Sequence, residues 1–428
     1  MGANNGIDGA IDLDEKVVII SCDTHIGPRV KEDLRQYCPK KYLQDFDDFV
    51  AWMDTKESGI GGIDALDLTT GHWDVHARLR DLDKDGTAAE VIFHGSQNGQ
   101  PIPWNVSDPS LGPMSIVRMY DVDYELAALG RKMYTQWLAD FCSVEPERHV
   151  GLAQLPMWDI DKAIEEATWA REHGLRGINF PSESGPTETS RSRYGGLYYY
   201  HDPKWEPFWS ACEDLGLQLA SHGGFGPMTD INLPASAVLW VYETQEIARR
   251  PMARMILAGV FERHPDLKLV FTEHPGDWWR IKLADLDSLH YMAGLPKKPS
   301  EYAKNNVFIG ASFQARFEAI DAIENDYWQN CIWGNDYPHI EGTWMPEFPG
   351  DVPQSHLSLR YAYHDLDPAK VKAMLGDNGI RVWNLDGEAL HKVAQGINAP
   401  TLREALTPID EIPEQHGMWA FRQSGAFA

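Results

Sequence analysis

A chain of 428 residues, 43% hydrophobic and 24% charged, has the length and composition of a globular protein with a sizeable core. Its formal net charge of −26 repels phosphate backbones and anionic lipid, which argues against nucleic-acid and membrane partners. No apolar run approaches the roughly 20 residues of a membrane span, and the polar, acidic N-terminal residues 1–15 lack the apolar stretch of a secretory leader.

Five cysteines (Cys22, Cys38, Cys142, Cys212 and Cys331) form no Cys-x-x-Cys pair and follow no regular spacing. An odd, sparse set of this kind reads as reduced thiols in a cytoplasmic protein. After a tail at 1–16, short apolar runs recur at 17–21, 90–93, 149–155, 176–180, 217–221, 267–272, 306–309 and 330–333. Stretches such as VVII, LQLA and LKLVF show little alternation, as strands buried on both faces should. Between them lie helix patterns. Residues 159–174 end on a glycine, 202–216 open with Asp-Pro and end on a glycine, and 251–263 form another. Eight strands alternating with helices predict an α/β fold closed as a (β/α)₈ barrel spanning 17–386. Four long loops at 29–86, 95–122, 181–200 and 336–356 follow strands one, two, four and eight, on the side where barrel enzymes build their sites. A terminal helix is expected over 367–386, and residues 387–428 read as an extension.

Polar residues at the strand ends carry the chemistry. The first strand runs into Asp23-Thr24-His25, and residues two apart in a strand share a face, as two ligands of one metal must. The competing reading is a turn with a hydrogen-bonded histidine. The fifth strand ends on His222 before two glycines that allow close backbone approach. After the sixth come Glu273 and His274, of which one faces the centre. Glu273 is the expected ligand, and His274 an outer or substrate-contacting group. After the eighth, Asp336 is either a turn cap or a ligand. Together these residues put a carboxylate or imidazole at the mouth of strands one, five, six and eight, an order that independent caps and core histidines would not produce.

The motifs DTH, SHGG, FTEH and WGNDYPH, in that order, resemble the amidohydrolase-like metal-dependent barrel superfamily. The likeness is to the branch that includes the aminocarboxymuconate-semialdehyde decarboxylase relatives, and it runs from about Val17 to Asp386. The resemblance implies His222 and Asp336 as metal ligands and a catalytic histidine after the sixth strand, where this chain has Glu273 and His274. The chain departs from the pattern in carrying Asp23-x-His25 in place of His-x-His or Glu-x-His. It also has no lysine at 179–181, where many hydrolytic members carry a carboxylated one.

The resulting set of Asp23, His25, His222, Glu273 and Asp336, with His94 and His339 unassigned, is oxygen-rich and suits iron or manganese. It is similar in this respect to the barrel non-heme diiron monooxygenases typified by the hydroxylase of platensimycin and platencin biosynthesis. That likeness implies two divalent ions, iron, with dioxygen and a bulky apolar substrate such as a coenzyme A thioester. Loop tryptophans, among them Trp104, Trp240, Trp278 and Trp344, fit such a substrate. The alternative keeps the site but holds one zinc or manganese for hydrolysis or decarboxylation, with Glu273 or His274 as the base. A homo-oligomer is expected from the same resemblance.

Overall fold

A computed structural model describes residues 11–54, 68–95, 100–104, 123–181, 199–223, 235–274, 278–347 and 352–426. Eight strands form one parallel sheet in chain order: β1 (Ile20–Ile26), β2 (Ala89–His94), β3 (His149–Ala153), β4 (Gly177–Asn179), β5 (Gln218–His222), β6 (Leu269–Thr272), β7 (Val307–Ser312) and β8 (Cys331–Gly334). Each expected apolar run overlaps one of them. The ring closes between β1 and the residues after β8. Thr24 bridges Tyr337, the Asp336 N–H donates to the Asp23 carbonyl at 2.9 Å, and the His25 N–H donates to the Tyr337 carbonyl at 2.6 Å.

Helices wrap the strands. They include α1 (Leu43–Asp54), α2 (Val75–Asp85), α3 (Tyr124–Cys142), α4 (Ile160–Glu172), α5 (Glu206–Leu215), α6 (Ser236–Ala248), α7 (Arg250–Leu257), α8 (Trp278–Ser288), α9 (Pro299–Asn306) and α10 (Arg316–Glu324). Their ends follow the expected chemistry. The Asp159 carboxylate accepts from Lys162 N–H at the start of α4, and Asp202 caps a short 3₁₀ turn that leads into α5. The helix expected over 251–263 is instead broken at Gly259, which adopts φ 70° between α7 and a second short helix. The five cysteines are all buried and unpaired.

The barrel interior is one apolar cluster that includes Ile20, Val91, Phe93, Val150, Leu152, Val270, Phe308 and Ile332. The same cluster takes in Val382, Trp383 and Leu390, from α11 (Asn378–Trp383) and α12 (Gly387–Gly396). The end of the expected terminal helix and the start of the C-terminal extension therefore plug the barrel at the N-terminal ends of its strands. Trp383 reaches the start of β4, where a Cβ at Gly177 would stand 2.8 Å from the indole. With that end filled by hydrocarbon, the opposite mouth is left for polar side chains. Parts of all four expected long loops, Pro275, Gly276, Asp277 and the Trp240 side chain lie outside the described residues.

Candidate metal centre

The register between β1 and β2 slips between Ser21 and Thr24, so Cys22 and Asp23 together oppose a single residue of β2. Such a bulge re-aims the side chains beside it. Asp23 and His25 both turn to the barrel axis, with Asp23 Oδ1 3.2 Å from His25 Nε2. His222, the last residue of β5, brings its Nε2 to 3.1 Å from both Asp23 Oδ1 and His25 Nε2. Asp336, two residues past β8 and held at φ 57°, places Oδ1 3.3 Å from His25 Nε2. All four residues are buried.

The outward nitrogens decide what the inward ones are. His222 Nδ1 lies 2.7 Å from the Gly223 carbonyl and His25 Nδ1 3.4 Å from the His94 carbonyl, so the neutral ring of each carries its proton on the outward side. Two imidazole lone pairs and two carboxylate oxygens then face one another across the axis. Neither Asp336 oxygen meets a hydrogen-bond donor in good geometry among the described residues. Buried acceptors that confront only acceptors are costly unless a cation or protons sit between them. A divalent ion with bonds of about 2.1 Å sets neighbouring ligands roughly 3.0 Å apart in an octahedron and roughly 3.4 Å apart in a tetrahedron. The separations within Asp23, His25 and His222 fall in that interval, so that donor set fits a metal, and Asp336 adjoins it through its contact with His25.

Asp336 belongs with His25 and His339 to a second group of ligand-type atoms, which shares His25 with the group Asp23, His25 and His222. His339 Nδ1 lies 2.9 Å from Asp336 Oδ1, its ring stacks on His25 at 4.0 Å, and its Nε2 is 3.2 Å from the Gly95 carbonyl. Burial alone would lower the His339 pKa, but Asp336 and Glu341 raise it to about 10. Burial likewise opposes the rise of His222, which Asp23 and Glu273 bring to about 9. The Asp23 carboxyl is held well below the usual range, because His222 and His25 outweigh the effect of its burial.

Glu273 is not brought into either group. Its backbone adopts φ 54°, which breaks the strand alternation, and its carboxylate meets the outer face of His222, with Oε2 3.3 Å from Nδ1. Only a glycine at 223 permits this approach, since a Cβ there would stand 2.2 Å from the Glu273 carbonyl oxygen. Burial pushes the Glu273 carboxyl up to about 8, with Asp336, Asp23 and Glu341 adding to the rise and His222 opposing it. His274 packs on the helix side, against Phe271 at 5.5 Å and Trp278 at 6.1 Å. It accepts from Arg249 Nε at 3.3 Å, and burial together with that guanidinium keeps it neutral, well below the usual histidine range.

Three supporting residues escape sequence reasoning. Ser312, the last residue of β7, donates to Asp23 Oδ2 at 2.5 Å and leaves Oδ1 for the axis. Asn335 accepts from Ser21 Oγ and from the Tyr337 N–H and donates to the buried Asp85, which locks the turn that presents Asp336. Arg78, fully buried, donates to the His25 carbonyl at 2.8 Å. A serine ending a buried strand was the one available signal. The described loop tryptophans are engaged locally: Trp104 with Phe46 and Phe49, Trp278 with Trp279, and Trp344 with Tyr337.

Known proteins agree with this architecture. A gamma-resorcylate decarboxylase of Rhodococcus jostii is 26% identical over 220 residues, covering 47% of this chain and 64% of that protein. Among solved structures, 5-carboxyvanillate decarboxylase from Sphingomonas paucimobilis superposes with a TM-score of 0.57 at 20% identity, covering 86% of this chain and all of that one. A dihydroxybenzoic acid decarboxylase from Polaromonas with bound manganese gives 0.54 at 16% identity, over 87% of this chain and 99% of that one. At such identities the structural likeness speaks for the barrel alone. Among the described residues no helix is long and apolar enough to cross a membrane. The amidohydrolase family profile matches residues 74–385, nearly three quarters of the sequence, and this chain belongs to that family.

Proposed function

We propose that the protein is a metal-dependent decarboxylase of a small aromatic carboxylate, with one divalent ion held by Asp23, His25, His222 and Asp336. The observation that carries this reading is the set of four buried side chains that bring ligand-type atoms to 3.1 to 3.3 Å along their contacts at the barrel mouth. Relatives that decarboxylate aromatic acids, one of them crystallised with manganese, support the reaction class and the metal.

A divalent ion held by these residues would supply Lewis acidity for binding an anionic substrate. The chain's own groups do the rest. Ser312 fixes Asp23 and the Gly223 carbonyl fixes the His222 tautomer, so the ligand atoms are set before substrate arrives. Decarboxylation requires a proton at the ring carbon as the bond to the carboxyl carbon breaks and carbon dioxide leaves. Glu273, beside His222 with a side chain 17% exposed, is the group we assign to hold that proton. His274, facing Arg249 and Trp278, orients the turn behind Glu273.

The test is to load the purified protein with Mn²⁺ and follow carbon dioxide release from a panel of hydroxybenzoates beside hydrolysis of aryl esters and amides. Release from a hydroxybenzoate supports the reading. Hydrolysis alone moves the site to metal-activated water. A second reading, two iron ions and dioxygen-dependent hydroxylation of an apolar or coenzyme A-linked substrate, draws on the additional group His25, Asp336 and His339. It requires an ion held without His25, because one imidazole nitrogen serves one metal. Two irons per chain with oxygen uptake would favour it.

A further inference from the structure

The chain comes back to the barrel mouth after the family-matched residues 74–385 have ended. Residues 417–422 lie against the loops that follow β7 and β8. On the β8 side, the Trp419 N–H donates to the Glu341 carbonyl at 2.9 Å, and the Glu341 side chain is 3.7 Å from His339 Nδ1. Gln354, 1% exposed, accepts from the Gly417 N–H at 2.9 Å and donates to the Thr343 carbonyl at 2.8 Å. The backbones meet so closely that a Cβ at Gly417 would stand 2.0 Å from the Gly342 carbonyl oxygen.

On the β7 side, the Trp419 ring packs on Phe313 with centroids 5.2 Å apart. Arg422, 2% exposed, donates to Glu318 at 2.6 Å and to the Phe313 carbonyl at 3.4 Å, with its guanidinium 5.7 Å from the Phe313 ring. Phe313 follows Ser312 directly, sits at φ 41° and donates its N–H to the Gly334 carbonyl at 2.9 Å. A tail resting on the surface would not bury an arginine together with its carboxylate partner. The segment joins the loop that directly follows Ser312, which holds Asp23, to the loop that carries Asp336 and His339. These are the two halves of the cluster.

We propose that residues 417–422 are a positioning element of the metal centre, with Trp419 and Arg422 fixing Asp336 and His339 relative to Asp23. The inference rests on the reading that the site holds a divalent ion. The test measures the Mn²⁺ dissociation constant by competition with a chelating dye, together with the melting temperature. It uses the wild-type chain, Trp419→Ala/Arg422→Ala, Arg422→Lys and Leu390→Ala. Leu390 lies in the plug at the far end of the barrel and controls for general loss of stability. The double variant is expected to bind Mn²⁺ about 10- to 100-fold more weakly, the usual effect of removing support behind metal ligands. Arg422→Lys, which keeps a cation beside Glu318, recovers part of the loss, and Leu390→Ala melts earlier with wild-type affinity. Unchanged affinity in the double variant, or an equal loss in Leu390→Ala, would overturn the proposal. Should the double variant fail to fold, Arg422→Lys and Trp419→Phe decide it: wild-type affinity in both overturns it, and a several-fold loss in either upholds it. A wild-type chain that binds no Mn²⁺ would bring down the metal reading itself and not this inference alone.

Discussion

Two clusters of buried charge lie on neighbouring strands of this barrel, and they are built on opposite principles. On β2, Glu90 is fully buried and both of its oxygens are met: Arg78 forks onto them at 2.7 and 2.6 Å, and His149 Nδ1 lies 3.0 Å from the first. Burial alone would raise the Glu90 pKa, but Arg78 and His149 bring it to about 2. On β1, Asp23 is equally buried, yet its inward oxygen meets two imidazole nitrogens, one of which also meets the second carboxylate, Asp336. The first cluster is complete in itself and holds the wall of the barrel. The second turns imidazole and carboxylate ligand atoms toward one another, with no arginine forked onto its carboxylates among the described residues. Burial of charge therefore does not mark a functional site; incompleteness does.

The contrast is tested most strongly at Asp336. Asp336→Asn should lower metal-dependent turnover by about 10³-fold or more, in the range of losing a group aimed at developing charge. In the presence of a chelator the same variant should melt at or above the wild-type temperature, since it relieves a confrontation of acceptors. A clear drop in its chelated melting temperature would place Asp336 with the structural cluster. Glu90→Gln should do the reverse. Leaving Arg78 buried without its counter-charge is expected to cost about 3–5 kcal/mol of folding stability, to be read from urea unfolding; a loss below about 1 kcal/mol would show the pair to be dispensable. Ser312→Ala sharpens the picture within the incomplete cluster. It should weaken metal binding by about 10- to 100-fold with little change in stability, as titration calorimetry would report.

The complete cluster also predicts a dependence of stability on acid pH. The folded pKa of Glu90 lies below its ordinary value of 4.5, so its contribution is complete above that pH and is lost as pH falls toward about 2. Unfolding free energies measured across that window should fall more steeply for wild type than for Glu90→Gln. Parallel slopes would remove the linkage.

The strands were legible because both faces are apolar, and they were misjudged where function enters. The reading by apolar runs ends the first strand at Ser21 and the seventh at Ile309, whereas β1 continues to Ile26 and β7 to Ser312. The apolar runs stop short of polar residues that face the site, Asp23, His25 and Ser312, which pair in the sheet but interrupt the hydrophobic pattern; the first two are named from their motif, and Ser312 is missed. Period-two spacing did predict that Asp23 and His25 share a direction. The placement of Glu273 was not legible, because it depends on a left-handed backbone that a strand pattern cannot foretell. Nor was the division of the C-terminal residues between a plug at one end of the barrel and a brace at the other, since both are set by tertiary contacts far apart in sequence.

The most direct test of the metal centre is the number of divalent ions bound per chain, measured by elemental analysis after purification without chelators and again after reconstitution with Mn²⁺. The account predicts one ion per wild-type chain and a large loss of occupancy in Asp336→Asn and in a His222→Ala variant. A wild-type chain that takes up no ion, or variants that keep full occupancy, would contradict it.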